Sequence, residues 1–214
     1  MKTITHILKD GTLITAFEGD HISNIIGRTN YYYEGSMLDY IKENIPKGLM
    51  VDVGANIGNH SIYLAKYCAT TVLAFEPFPA SFELLKKNLI QNNILNVKPI
   101  NFGLSNEEKR VFMTSVNGNA GMNRIDDNGM IAVQVVTFEC KGIEPITLIK
   151  IDCEGYEEKA LLGMIETIKE HKPALFIECQ TLMEYQTINT ILAPLGYVMI
   201  QKFNSTPTYF LRHG

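Results

Sequence analysis

The stretch Val51-Asp-Val-Gly-Ala-Asn-Ile-Gly58, followed by Phe75-Glu-Pro77, constrains this chain more than any other part of it. An apolar run meets a glycine turn. A second apolar run then ends in a carboxylate, Glu76, 22 residues after Gly54 (76 − 54). Strand, glycine turn, helix, strand and acid in that order build a nucleotide pocket. Glycine lets a ligand approach the backbone, and a carboxylate accepts two hydrogen bonds from a ribose diol. The turn is Gly-x-x-x-Gly and not the Gly-x-Gly-x-x-Gly of dinucleotide enzymes, which favours S-adenosylmethionine over NAD.

The same alternation runs through most of the chain. Leu49–Val53, Thr71–Phe75, Val97–Ile100, Ile146–Ile151 and Ala174–Glu178 read as strands. Asn59 is placed to cap a helix reaching about Tyr67, and Pro79 starts another through about Asn92. Glu157–His171 reads as one or two helices and Thr181–Leu195 as one more. Tyr197–Lys202 and Thr208–Arg212 close the chain as a hairpin around Ser205-Thr-Pro207. Apolar strands joined by helices imply an α/β fold with a doubly wound, mostly parallel sheet.

Two sections depart from the alternation. Residues 4–17 read as a hairpin around Asp10-Gly11, a favoured two-residue turn. Residues 20–45 read as two helical pieces broken near Gly27–Asn30, with Met37, Leu38, Ile41 and Ile45 at helical spacing. Residues 1–46 are expected to form a hairpin and helical lid on a core at 47–214, all in a single domain. Residues 101–138 carry β-prone pieces, Arg110–Ser115 and Ile131–Phe138, around a Gly- and Asn-rich loop, Asn117–Gly129.

Composition narrows the class. At 214 residues and 46% hydrophobic content one core is the expectation. The net charge of −4 lacks the basic excess of a nucleic-acid binder. No apolar run approaches the roughly 20 residues of a membrane span, and no secretory signal is visible. The four cysteines show no Cys-x-x-Cys spacing and read as buried thiols of a reducing compartment, so a cytoplasmic location is expected.

In a doubly wound sheet the ligand sits at the carboxyl ends of the strands, so the polar residues just after them are the candidates. On the cofactor side these are Asp52, Gly54, Ala55, Asn56 and Gly58, then Glu76 and Pro77. Asp52 is a carboxylate inside an apolar strand and needs a partner; a ligand ammonium or local amides would serve. Asn101 and Phe102 follow the third strand, where an adenine is expected and a ring could stack. Glu34 could close over the cofactor. Ile149-Lys-Ile-Asp-Cys-Glu-Gly-Tyr156 groups Lys150, Asp152, Glu154 and Tyr156 beside the expected methyl group. Asp152, Glu154 and Glu178 are the candidate catalytic acids, with Asp152 also near the cofactor. His60, Lys150 and Tyr156 are the candidate acceptor contacts. No Cys/His metal set is present. A carboxylate magnesium site at Asp152 and Glu178 is conceivable, but no metal is expected.

These motifs in order make the chain resemble the FkbM-type methyltransferases, a branch of the class I S-adenosylmethionine-dependent family. They are Tyr33-Glu34, the 51–60 turn, Ala74-Phe-Glu-Pro77, Asn101-Phe-Gly-Leu-Ser105, Ile149–Glu157 and Pro173–Glu178. The resemblance implies a seven-stranded Rossmann-like sheet with an antiparallel last strand. It also implies O-methylation of a hydroxyl on a sugar, glycan or related small metabolite. One departure is Thr137-Phe-Glu139, where the family often has Thr-Leu-Asp. An NAD-linked enzyme on the same architecture and a non-catalytic binding module are the alternatives. The acceptor and the oligomeric state are not legible.

Overall fold

Each of the apolar runs can bury both faces of a strand with its backbone fully paired by neighbours. The computed structural model describes residues 2–114, 123–126, 128–140 and 144–214. It opens with β1 (Thr3–Ile7) and β2 (Leu13–Phe17), then α1 (His21–Thr29) and α2 (Gly35–Asn44). The alternating section is β3 (Leu49–Val53), α3 (Asn59–Tyr67), β4 (Thr71–Phe75), α4 (Pro79–Gln91) and β5 (Val97–Ile100). Four short strands follow: β6 (Gly103–Leu104), β7 (Lys109–Thr114), β8 (Arg124–Ile125) and β9 (Ile131–Val136). The chain ends with β10 (Ile146–Ile151), α5 (Glu157–Gly163), α6 (Ile165–His171), β11 (Ala174–Glu178), α7 (Leu182–Leu192), β12 (Tyr197–Phe203) and β13 (Thr208–His213).

The described central sheet has the order β5-β4-β3-β10-β11-β13-β12. The neighbours from β5 to β11 pair in parallel. β13 runs antiparallel to both β11 and β12. The sheet expected to be mostly parallel is therefore mixed, because the closing hairpin inserts its second strand between β11 and its first.

The chain winds outward from β3 to β5 and then returns to lay β10 on the other side of β3, so the switch point lies between β3 and β10. The register brings the strand ends level. Val53 pairs with both Phe75 and Ile151, and Ile151 with Ile177. The residues that follow, Gly54, Glu76, Asp152 and Glu178, therefore meet at one rim.

Strand alternation divides the core between the two faces. Met50, Leu148 and Phe176 pack toward α1–α4 with Ile26, Leu38 and Ile62. Val51, Ile149 and Ile177 pack toward α5–α7 with Leu161, Ile168 and Leu192. The short strands form a separate sheet, β6-β9-β7-β8, with its own apolar cluster around Phe78, Val111 and Val133. That sheet replaces part of the loop expected over 117–129; residues 115–122 and 127 lie outside the described ones.

Two local expectations are corrected. The β1–β2 turn is a three-residue loop, 9–11, because Leu8 N already donates to Thr12 O at 2.8 Å. Gly11 takes the left-handed conformation there, φ 81°. Asn59 does not cap α3; Gly58 holds the cap position with φ 89° and Asn59 is the first helical residue.

Candidate active site

A cavity of about 540 Å³ opens at the rim where the strand ends meet. Its floor is the glycine turn, which φ 79° and a close backbone crossing reserve for glycine at position 54: a Cβ there would lie 1.8 Å from Asp152 O. Gly54, Ala55 and Asn56 line the cavity, but the turn's amides do not point freely into it. Gly54 N and Ala55 N both donate to Phe75 O at 2.9 Å. Asn56 N donates to Glu76 Oε2 at 2.7 Å, and Gly58 N to Ala55 O. Gly58 is not in the wall. A Cβ on it would meet the Leu85 side chain at 2.5 Å, so its role is to let α3 close on α4.

Glu76 and Pro77 are in the wall. The Glu76 carboxylate is anchored on both oxygens, by Asn56 N and by Phe78 N at 2.7 Å. Burial pushes its pKa up to about 7 against the help of those two amides. Asn56, held at φ 48°, leaves its buried Oδ1 without a protein partner. An anchored carboxylate and an orphaned acceptor on a floor without Cβ at position 54 fit the ribose and base of a nucleoside.

Four further expected contact residues are absent from the wall: Asp52, Lys150, Asn101 and Phe102. Asp52 is fully buried and accepts from Ser61 Oγ at 2.6 Å. Its second oxygen, Oδ1, is 3.6 Å from Lys150 Nζ. Lys150 is itself only 3% exposed and reaches Asp152 Oδ2 at 3.1 Å, so it serves two acids and not an acceptor. Burial acts against its charge, but Asp152 and Asp52 outweigh burial and raise its pKa. Asn101 donates to Glu76 O at 2.8 Å, holding the strand end, and neither it nor Phe102 reaches the cavity. Gly103 and Leu104 take the place expected for them.

Asp152, Glu154 and Glu178 come together. One oxygen from each lies within 4.8 Å of the others. Burial works to raise the Asp152 pKa, but Lys150 and a hydrogen bond with Glu178 bring it below the usual carboxylate range. Glu178 moves the opposite way: burial first, then the Asp152 charge and their shared hydrogen bond, raise it. The pair thus holds its proton on Glu178 and its charge on Asp152.

Glu154 sits at φ 52° and accepts from Gln180 Nε2 at 2.8 Å. Burial, then the Asp152 and Glu157 charges, push it up to about 7. Capping of this turn belongs to Glu157, whose Oε1 accepts from Cys153 N and Gly155 N, which leaves Glu154 facing the cavity. Three close carboxylates are a donor set that magnesium accepts. Here an ammonium and a proton already balance two of them.

Glu34, His60 and Tyr156 all line the cavity. Asn59 makes two hydrogen bonds to the backbone of Tyr33, donating to O and accepting from N, and so seats Glu34 over the rim. Glu34 Oε2 lies 3.2 Å from His60 Nε2. The wall also includes His21, Ser81 and Cys153. Met113, Asn123 and Ile125 join it from the small sheet, as do Gln180 and the hairpin loop Ser205–Pro207. No sequence signal marks the small-sheet contributors, which reach the rim only through tertiary packing.

A switch-point cavity with a glycine turn, a strand-end acid on each side and no phosphate cradle defines an α/β fold of the methyltransferase type. Known proteins agree. Residues 52–199 match the methyltransferase FkbM domain. Methyltransferase 1 of Beauveria bassiana is 28% identical over 179 residues, 70% of this chain and 72% of that protein. The hexuronic acid methyltransferase AglP of Haloferax volcanii is 30% identical over 125 residues, 55% of this chain and 50% of that protein. Methyltransferase FkbM from Methylobacillus flagellatus has the same fold, with TM-score 0.57 and 24% identity over 77% of this chain and 43% of its own. So does SMU.1697c from Streptococcus mutans, solved in complex with SAH, with TM-score 0.52 and 17% identity over 83% of this chain and 94% of its own. The chain belongs to the FkbM methyltransferase family.

Proposed function

We propose that this chain is an S-adenosylmethionine-dependent O-methyltransferase acting on a hydroxyl of a sugar, glycan or related small metabolite. The observation that carries the reading is the pairing of an anchored Glu76 with the Asp152–Glu154–Glu178 cluster across one cavity. Glu76, Asn56 and the turn at Gly54 would hold the adenosyl part, and Asp152 and Glu34 the methionine part. When bound, the cofactor supplies a methyl group on a sulfonium, an electrophile for an acceptor oxygen.

The chain's own work is to align the acceptor, keep water out and take a proton. Glu154 suits the last task, since a pKa of about 7 lets it be ionised and still basic near neutral pH. Asp152 is a weaker base because Lys150 holds it ionised, and Glu178 already carries a proton. Both orient the acceptor beside Glu154. The relative named for hexuronic acid supports a carbohydrate acceptor. The four unbonded cysteines suit a reducing, cytoplasmic setting. Among the described residues no helix is long and apolar enough to cross a membrane.

An NAD-linked enzyme is disfavoured by the turn. A pyrophosphate needs free loop amides, and those of Gly54, Ala55, Asn56 and Gly58 are taken. Calorimetry with S-adenosylhomocysteine and with NAD tests the cofactor; binding of NAD alone, or of neither, overturns the reading. Glu178→Gln should lower methyl transfer while S-adenosylhomocysteine affinity stays near wild type, and Asp152→Asn should lower both. Unchanged transfer in both removes Asp152 and Glu178 from the mechanism.

A further inference from the structure

Three rings stand together in the cavity wall without a part in the cofactor reading: His21 at the start of α1, Tyr33 just before α2 and His60 of α3. Tyr33 and His60 are stacked, with centroids 6.3 Å and planes 29° apart, and His21 meets Tyr33 edge to face at 5.9 Å. The series runs from exposed His21 through half-buried Tyr33 to buried His60, from the mouth inward. The two inner rings are held in place. Asn59 bonds both backbone groups of Tyr33, and Glu34 Oε2 lies 3.2 Å from His60 Nε2. Burial first, then the charges of Glu34, Asp152 and Glu178, raise the Tyr33 pKa, with Lys150 opposing them. Tyr33 therefore stands on the side of the acid cluster.

Resting on the methyltransferase reading above, we infer that Tyr33, with His21 and His60, is the platform on which a pyranose ring of the acceptor docks by its C–H face. Tyr33 is on this account a specificity-determining residue that selects cyclic sugars over open-chain polyols and aryl alcohols. A pyranose has a rigid face of C–H groups and a rim of hydroxyls. The C–H groups carry the partial positive charge that the face of an aromatic ring attracts. The hydroxyls find partners in the same cavity, in the carboxylates of Glu154 and Glu178 and the amide of Gln180. Such a wall, apolar rings with a few placed polar groups, is what orients a small ligand. An open-chain polyol has the hydroxyls without the rigid face, and loses more conformational freedom on docking. An aryl alcohol has the flat face but too few hydroxyls for the polar groups.

The test is methyl transfer from S-adenosylmethionine to a panel of methyl hexopyranosides, uronates included, each beside the open-chain polyol of the same sugar, and to catechol. For at least one pyranoside, kcat/KM should exceed that of its open-chain polyol and of catechol by about tenfold or more. Tyr33→Leu should raise the acceptor KM about tenfold and leave the S-adenosylhomocysteine Kd near wild type. Tyr33→Phe keeps the ring and should leave both near wild type. His21→Ala, at an exposed position, should raise the acceptor KM a few-fold, and it decides the matter if Tyr33→Leu does not fold. An unchanged acceptor KM in Tyr33→Leu, or in His21→Ala where that variant decides, overturns the inference. So does equal transfer to the open-chain polyol or to catechol. A KM raised as much in Tyr33→Phe assigns the effect to the hydroxyl and overturns the stacking, and a tenfold loss of S-adenosylhomocysteine affinity in Tyr33→Leu gives the ring to the cofactor. Absence of transfer to every pyranoside while S-adenosylhomocysteine still binds also overturns it. Failure of S-adenosylhomocysteine to bind the wild type instead overturns the underlying methyltransferase reading.

Discussion

Lys150 and Glu154 divide the labour of the site. Lys150 is a structural cation: it lies 3.6 Å from Asp52 and 3.1 Å from Asp152 at the carboxyl ends of β3 and β10. Lys150→Met leaves Asp52 buried without its counter-charge. A loss of roughly 3–5 kcal/mol in urea unfolding is expected for removal of one member of a buried pair. A loss under about 1 kcal/mol would show that Ser61 alone supports Asp52. On the proposed reading Glu154 is the titrating group. Its pKa is raised to about 7, so the basic form declines as pH falls through that value. In the wild type, kcat/KM should rise as pH rises through about 7. Glu154→Gln should flatten that limb and lower the plateau by about a hundredfold or more. An unchanged limb in the variant assigns the proton to another group.

Among the elements, the N-terminal hairpin is coupled to the cavity floor through one side chain. Asn88 of α4 is fully buried. It accepts from Thr15 N at 2.8 Å and donates to Thr15 O at 2.9 Å and Ile57 O at 2.8 Å. Asn88→Ala leaves Thr15 N and two carbonyls buried and unpaired. A cost of about 1–3 kcal/mol is expected, with weaker S-adenosylhomocysteine binding because Ile57 belongs to the glycine turn. Unfolding in urea and calorimetry on the same variant check both.

The strands of the core were legible in the sequence, with β3, β4, β5, β10 and β11 matching their expected ranges. Apolar runs bounded by Gly, Pro and Asn leave little freedom in placing a buried strand. Within 103–136, β7 and β9 follow the β-prone pieces expected at 110–115 and 131–138, but β6 and β8 were not legible. β6 and β8 are two residues each, too short for any periodicity, and form only because β9 and β7 are there to pair with them. The expected cap at Asn59 failed for a similar reason. Its amide bonds to Tyr33, 26 residues earlier, and local spacing cannot register such a partner.

At the scale of the whole molecule, the folded state holds protons that the unfolded chain would release. The pKa values of Asp20, Glu76, Glu154, Glu157 and Glu178 are all raised, each mainly by burial. An acid with a raised folded pKa contributes stability below its unfolded value, and that contribution is lost as pH rises through the folded one. His6, lowered by burial, works the other way below 6.5. The ligand-free protein should therefore have a higher Tm near pH 5.5 than at pH 7.5. A lower Tm at pH 5.5 would mean that these acids are ionised in the fold. By itself the sequence determined the strands, the glycine turn and the acids at the strand ends, because periodicity and φ preference act over a few neighbouring residues. Only the tertiary structure decided which acid faces the cavity, which is tied to Lys150, which keeps a proton and which loop amides are taken. Charge and hydrogen bonding depend on partners that the register of the sheet brings together from distant parts of the chain.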